Sequence, residues 1–128
     1  MNILIADDEP RCRDLLCHLF EKWPEHNLIL AADGEEAWGL LDDPKRWFDV
    51  VILDLNMPKR TGLDVLKQLR ESPLLRSVEP VICTARNDRE TITRAIALGV
   101  RHYIVKPWTE QVIADKLRVI AQARGMAA

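Results

Sequence analysis

The sequence lacks the features that mark three broad classes of protein. It has no apolar run near the roughly 20 residues that a transmembrane helix requires, and we expect no contact with a membrane. Its formal net charge of −2 lacks the basic excess of proteins that bind nucleic acids through phosphate contacts. A disordered chain would carry fewer aliphatic residues, whereas apolar residues make up 48% of this one. The 128 residues suit one compact domain, which we expect over residues 1–128.

Cysteine occurs only three times, an odd number without a CxxC spacing. This pattern is typical of reduced thiols in a cytoplasmic protein, and we expect Cys12, Cys17 and Cys83 to be mostly buried. The first two share one predicted helix but not one face of it. The amino terminus turns acidic at Asp7, unlike a secretory signal peptide, so no such signal is expected.

The charged residues are unevenly distributed along the chain. Residues 1–85 contain 10 basic and 16 acidic side chains, whereas residues 86–128 contain 8 basic and 4 acidic ones. One end of the fold is therefore expected to be basic. An ordinary solvated face is the simpler interpretation, and a surface for an acidic partner is the alternative.

Short apolar runs alternate with longer segments of helical period along the whole chain. The runs of strand length are residues 2–6, 27–32, 49–53, 78–85 and 102–105. Helix starts are indicated by Pro10, by the pairs Asp33 with Glu36 and Asn87 with Glu90, and by Thr109, whereas Gly99 indicates a helix end. Continuous aliphatic strands separated by helices predict an α/β fold, a parallel sheet covered on both faces in a three-layer doubly wound sandwich.

Chemically active side chains stand at the ends of most predicted strands. Asp7 and Asp8 follow the first strand, Asp54 ends the third, Thr84 ends the fourth and Lys106 follows the fifth. Only the second strand, which should lie at an edge, ends without such a group. Binding sites of open parallel sheets form beyond the carboxyl ends of the strands, so these side chains are expected to meet in one cleft.

Three carboxylates in one cleft would repel one another and raise at least one pKa. A hard divalent cation such as Mg²⁺ relieves this repulsion, Lys106 adds a second positive charge, and the Thr84 hydroxyl can donate to an anionic oxygen. Such groups stabilise a transferring phosphoryl group, with Asp54 as a nucleophile that forms an acyl phosphate. Each residue alone has an ordinary alternative, as a helix cap, a turn residue or a solvated lysine. Their occurrence at one end of four strands favours the functional interpretation.

With these residues the chain resembles a known family, the receiver domain of two-component response regulators. The resemblance covers essentially the whole chain, through the segments "ILIADDEP", "AADGEEAW", "DVVILDLNMPKRTGLDVL", "PVICTA" and "ALGVRHYIVKPW". It implies the flavodoxin-like (βα)₅ sandwich, with a parallel sheet in the strand order 2-1-3-4-5.

The resemblance implies a role for each acidic residue of the cleft. Asp54 would be the phosphoacceptor and would attack the phosphohistidine of a sensor histidine kinase or a histidine phosphotransfer protein. Mg²⁺, or Mn²⁺ in its place, would be held by Asp7, Asp8, Asp54 and the backbone carbonyl of Asn56.

The resemblance also implies a conformational switch. Lys106 would pair with Asp54 and then with the phosphoryl group, and Thr84 would move inward to bond a phosphoryl oxygen. Tyr103 would turn inward when Thr84 moves; its alternative is a half-buried strand aromatic. The peptide bond between Lys106 and Pro107 would be cis.

Four further positions bear on the resemblance. Trp108 stands where phenylalanine is commoner in the family, and it is expected to be structural, packed beside the cis-proline. Asn56 and Arg86 match positions that tune the lifetime of the acyl phosphate. His102 is expected to be a surface or edge residue and not a kinase histidine.

The leading prediction is a signalling module that is controlled by phosphorylation and is not a turnover enzyme. The chain ends soon after the fifth helix, so we expect no DNA-binding domain and no direct contact with nucleic acid. Output would be contact between an unknown protein and the surface of helix 4, strand 5 and helix 5. A receiver domain from a larger response regulator or hybrid kinase is the alternative.

Two other classes share this type of sheet. An aspartyl-nucleophile phosphatase would carry an Asp-x-Asp-x-Thr pattern after the first strand, whereas here the candidate nucleophile lies on the third. A flavin- or nucleotide-binding module would have a phosphate loop rich in Gly, Ser or Thr after the first strand. Asp7, Asp8 and Glu9 occupy that place and would repel a phosphate unless a metal intervened.

Overall fold

The structure, a computed structural model, describes residues 1–84 and 89–126. Within these ranges, strands and helices alternate from the first strand to the last helix. The elements are β1 (Asn2–Ala6), α1 (Pro10–Phe20), β2 (Asn27–Ala31), α2 (Gly34–Leu41), β3 (Val50–Asp54), α3 (Gly62–Glu71), β4 (Glu79–Thr84), α4 (Arg89–Ala97), β5 (His102–Val105) and α5 (Glu110–Ala123). A single 3-10 turn at Pro73–Leu75 precedes β4. Within the described ranges, no helix is both long and apolar enough to span a membrane.

The five strands form one parallel sheet in the order β2-β1-β3-β4-β5, so the predicted flavodoxin-like topology is confirmed. The register pairs Ile5 of β1 with Ile52 of β3, and Asp54 at the end of β3 with Cys83 of β4. All four strand pairs are parallel. The carboxyl ends of all strands therefore lie at the same edge of the sheet, with β2 at one side as predicted.

Two apolar cores lie on opposite faces of the sheet, because successive strand side chains point to alternate faces. On one face, Leu4 and Val51 pack with buried residues of α2, α3 and α4. On the other face, Ile3 and Ile52 pack with buried residues of α1 and α5. Every residue of β3 is buried, which explains why its sequence is continuously apolar up to Asp54.

Side-chain caps fix the starts of three helices. Asp33 accepts a hydrogen bond from the backbone N–H of Glu36 at 2.8 Å, and Thr109 caps α5, both as predicted. Thr61 and Asp64 form a reciprocal capping box at the start of α3, which the sequence analysis missed. Gly99 ends α4 with φ of 91°, the left-handed conformation that glycine adopts without strain. The predicted pair Asn87 with Glu90 extends outside the described residues.

The prediction that the cysteines are mostly buried is wrong for two of the three. All three are free thiols, but only Cys83 is buried, whereas Cys12 is half-buried and Cys17 is exposed. Helix α1 turns Leu16 and Leu19 towards the sheet, and Cys17 lies outside that stripe.

Candidate functional site

The ends of three strands bring two carboxylates and one ammonium together. Asp7 follows β1, Asp54 is the last residue of β3, and Lys106 follows β5. The Nζ atom of Lys106 lies 2.9 Å from Oδ2 of Asp54 and 3.0 Å from Oδ2 of Asp7. Residues that are far apart in the sequence therefore meet at one edge of the sheet.

Asp54 is buried, and both of its carboxylate oxygens accept hydrogen bonds. The residue is 3% exposed, and its Oδ1 atom accepts a hydrogen bond of 3.0 Å from the backbone N–H of Asn56. Helix α3 begins so close to this strand end that a Cβ atom on Gly62 would lie 2.4 Å from the carbonyl oxygen of Asp54. A glycine at position 62 is therefore required for the backbone around Asp54 to adopt this arrangement.

Asp7 is completely buried and has a hydrogen-bond donor at each oxygen. Its Oδ1 atom accepts from the backbone N–H of Glu9 at 2.9 Å. Its Oδ2 atom accepts from the indole N–H of Trp108 at 2.9 Å, in addition to the contact with Lys106. The carbonyl oxygen of Asp7 also accepts a bond of 2.8 Å from Arg13. These bonds fix the direction of the Asp7 carboxylate and offset the desolvation of its charge.

The contact between Trp108 and Asp7 was missed by the sequence analysis, which treated Trp108 as packing only. Trp108 is buried, and its indole N–H needs an acceptor in such a position. Its position two residues after Lys106 is the signal that could have placed this donor beside the acidic cleft.

The pKa values of Asp54 and Lys106 are both raised, but for different reasons. Burial raises the pKa of Asp54, although the bonds from Lys106 and from the Asn56 amide act against this rise. Burial alone would lower the pKa of Lys106, but its hydrogen bonds with Asp54 and Asp7 dominate and raise that pKa. The lysine is therefore protonated at neutral pH, with a positive charge beside Asp54.

The three acidic residues fit a hard divalent cation. Asp7, Asp8 and Asp54 each offer a carboxylate oxygen, and these oxygens lie within 4.8 Å of one another. The Nζ atom of Lys106 lies within 3.6 Å of carboxylates of Asp7, Glu9 and Asp54, so its one charge cannot neutralise them all. Oxygen ligands with excess negative charge are the environment that Mg²⁺ and Mn²⁺ prefer. Asp8, which is only half-buried, lies on the solvent side of the group.

The other predicted residues lie around this centre at varying depth. Thr84 is buried at the end of β4, one residue beyond the partner of Asp54 in the register, and its carbonyl oxygen accepts a bond of 2.7 Å from the Lys106 amide. Tyr103 is 48% exposed on β5, and Asn56 is exposed in the loop after β3.

Two backbone and side-chain features complete the surroundings of the site. The peptide bond between Lys106 and Pro107 is cis. His102 is half-buried on the edge strand β5, at a place that agrees with its predicted surface or edge position. Arg86, which was expected to tune the lifetime of an acyl phosphate, lies outside the described residues.

Comparison with known proteins places this geometry in a family. Residues 3–118 match the model of the response regulator receiver domain. Chemotaxis protein CheY1 of Helicobacter pylori is 32% identical over 123 residues, which cover 94% of this chain and 96% of that protein. The transcriptional regulatory protein CpxR of Escherichia coli is 35% identical over 118 residues, covering 92% of this chain and 48% of CpxR.

A solved structure also matches the fold. The CheX–CheY–BeF₃–Mg²⁺ complex of Borrelia burgdorferi contains a chain that superposes with a TM-score of 0.82 and 26% identity, over 94% of this chain and 88% of that one. The family model, the curated relatives and the sheet topology agree with one another. The chain belongs to the response regulator receiver domains, the signalling modules of two-component systems.

Proposed function

We propose that Asp54 accepts a phosphoryl group from the phosphohistidine of a sensor histidine kinase or a histidine phosphotransfer protein. The observation that carries this proposal is the position of Asp54 at the tip of a fully buried strand, 2.9 Å from the ammonium of Lys106. A rigid nucleophile beside a fixed positive charge is suited to an incoming phosphoryl group, whose oxygens are negative. The acidic residues Asp7 and Asp8 would then hold the metal beside it.

The transfer exchanges one bond to phosphorus for another. A carboxylate oxygen of Asp54 forms the new P–O bond while the P–N bond to the donor imidazole breaks, and that nitrogen keeps the electron pair. Lys106 moves its hydrogen bond from the carboxylate to a phosphoryl oxygen and so compensates the added negative charge. Asp7, Asp8, Asp54 and the carbonyl of Asn56 would hold a Mg²⁺ or Mn²⁺ ion, which would supply further charge stabilisation. The presence of Mg²⁺ in the related Borrelia complex supports a divalent cation as the bound metal.

Phosphorylation then shifts a conformational equilibrium at the adjacent surface. Thr84 would donate its hydroxyl to a phosphoryl oxygen, and Tyr103 would leave its exposed position and turn inward. The surface of α4, β5 and α5 carries exposed apolar side chains that suit a protein partner: Ile96, Tyr103, Val105, Val112 and Val119. Arg94 and Lys116 on the same two helices are compatible with an acidic partner. The same helices also carry Glu90, Glu110 and Asp115, and Asp115 pairs with Arg118.

The remaining features of the proposal concern the chain as a whole. We take residues 1–128 as one receiver domain that acts in the cytoplasm, without direct contact with nucleic acid. It accepts and loses its phosphoryl group stoichiometrically and is not a turnover enzyme. The match to less than half of CpxR supports the alternative that such a domain also works within a longer regulator.

The proposal is tested by treating the protein with acetyl phosphate and Mg²⁺ and measuring the intact mass. We expect one added phosphoryl group, which peptide mapping places at residue 54. Asp54→Asn should abolish the addition, whereas Asp14→Asn, at an exposed position on α1, should not change it. Undiminished labelling of Asp54→Asn would overturn the assignment.

A further inference from the structure

A second cleft lies at the opposite edge of the sheet from Asp54. It opens beside Glu79, the first residue of β4, whereas Thr84 ends that strand at the phosphoacceptor edge. At roughly 3.3 Å per residue the two ends of β4 are about 17 Å apart. The cleft has a volume of about 650 Å³, which is the size of a small-molecule site.

Guanidinium groups dominate the lining of this cleft. Four arginines line it: Arg70 on α3, Arg76 in the segment before β4, Arg101 directly before β5 and Arg124 directly after α5. We propose that this arginine cleft binds a small phosphorylated ligand that carries a diphosphate group.

Three of the four arginines, Arg70, Arg101 and Arg124, use part of their hydrogen-bonding capacity within the protein. Arg70 donates to the carbonyl oxygens of Leu98 and Gly99 at 2.8 and 2.7 Å, at the end of α4. These bonds satisfy carbonyls whose partial negative charge would otherwise repel an anion. They also fix the guanidinium plane, which reduces the entropy lost when a ligand binds.

Two arginines are paired with carboxylates. Arg101 donates to Glu79 at 2.5 Å. Arg124 donates to Asp49 at 3.2 Å and to the carbonyl oxygen of Ser77 at 2.5 Å. Four guanidinium groups thus face two carboxylates, so the cleft retains an excess positive charge of about two. A diphosphate supplies a matching negative charge.

Unused donors point to the same ligand class. Among the described residues, the Nε atom of Arg124 is a buried side-chain nitrogen without an acceptor. Leaving such a donor unpaired is unfavourable, but this atom has no accessible surface, so a ligand would meet the exposed donors of the cleft instead. Arg76 is exposed, and its side chain has no bond to another described residue. A guanidinium presents five N–H donors, whose fork matches phosphate oxygens.

The other walls limit what the ligand can be. Val78, Leu98 and Ala123 line the cleft between the arginines and give it an apolar wall. A diphosphate held by the arginines would place any attached group against this wall. Inorganic diphosphate and a nucleoside diphosphate share the recognised chemistry, and both fit the volume.

The test is a titration of ¹⁵N-labelled protein with inorganic pyrophosphate in metal-free buffer, followed by amide chemical shifts. We expect saturable shifts at Ser77, Val78 and Gly99 and none at Ala6 or Leu53, which lie at the acidic edge. Arg76→Gln should raise the Kd about tenfold, because one charge-assisted bond is lost. Arg11→Gln, an exposed position on α1 with the same change of charge, should leave the Kd unchanged.

A parallel titration with adenosine diphosphate distinguishes the two sources. A Kd lower than that of pyrophosphate identifies a nucleotide as the better ligand, and an equal Kd identifies the diphosphate group as sufficient. Shifts that fail to saturate, or an equal Kd for Arg76→Gln and Arg11→Gln, would overturn the proposal. The phosphoacceptor role of Asp54 does not depend on either result.

Discussion

Replacing Trp108 with phenylalanine removes the indole N–H that donates to Asp7 at 2.9 Å and keeps an aromatic ring. Asp7 is completely buried, so water cannot replace the lost donor without a change in packing. Lys106 and the Glu9 amide remain bound to the carboxylate. The substitution therefore tests how far one neutral donor stabilises the acidic cluster.

The magnitude follows from the charge and burial of the acceptor. A hydrogen bond to a charged group contributes roughly 1.5–3 kcal/mol, and the smaller ring removes some packing as well. We expect the free energy of unfolding of Trp108→Phe to fall by about 2–4 kcal/mol in metal-free buffer. For a domain of this size the midpoint of thermal unfolding would fall by roughly 7–15 °C.

Urea unfolding of the four proteins in the cycle Asp7→Ala with Trp108→Phe separates the hydrogen bond from the packing loss, because alanine offers the indole N–H no side-chain acceptor. We expect a coupling energy of at least about 1 kcal/mol between the two positions. Trp47→Phe is the control, because Trp47 is 66% exposed and its substitution should change stability little. A coupling energy near zero would refute the reasoning and leave Trp108 with a packing role alone.

Three further perturbations test other parts of the structure. Lys106→Met should destabilise the metal-free protein by about 3 kcal/mol in urea unfolding, because it leaves buried carboxylates unpaired. Mg²⁺ should restore part of this lost stability. An equal loss with and without Mg²⁺ would contradict the prediction. Gly62→Ala should lower the free energy of unfolding, measured by urea unfolding, by at least about 2 kcal/mol and slow phosphorylation, because the added Cβ would lie 2.4 Å from the carbonyl oxygen of Asp54. Gly39→Ala is the control and should be stabilising, because a Cβ there meets no atom within 4 Å. Burial, together with the amino-terminal ammonium, lowers the pKa of His26 from 6.5. As the pH falls, His26 is therefore protonated in the unfolded chain before it is protonated in the folded protein. The stability that neutral His26 contributes is complete above pH 6.5 and is lost as the pH falls through the folded-state pKa of His26. His26→Gln should therefore flatten the dependence of the free energy of unfolding on pH in this range. An unchanged slope of that dependence would contradict the prediction.

The strands could be predicted because buried parallel strands require continuous aliphatic side chains on both faces. β3 shows this requirement most clearly, because all five of its residues are buried and its run of apolar residues ends at Asp54. The carboxyl ends of parallel strands share one edge, so the meeting of Asp7, Asp54 and Lys106 follows from order along the chain. The capping residues Asp33 and Thr109 were predictable because their bonds are local.

Contacts between distant residues could not be predicted in the same way. The bond from Trp108 to Asp7 joins positions 101 residues apart, and its formation depends on the rotamer of a buried indole. The exposure of Cys17 depends on which stripe of α1 faces the sheet, and sulfur is compatible with either side. The arginine cleft is assembled from four separate segments, and Arg70 and Arg76 come from the acidic part of the sequence, so the distribution of charge along the chain did not indicate the cleft.

The central claim is that Asp54 forms an acyl phosphate at the tip of β3. Borohydride reduces an aspartyl phosphate to homoserine and leaves free carboxylates unchanged, so it records the phosphorylated position in the covalent chain. After exposure to a phosphohistidine donor and Mg²⁺, mass spectrometry of the reduced protein should find homoserine at position 54 alone. Homoserine at another position, or its formation in Asp54→Asn, would contradict the account.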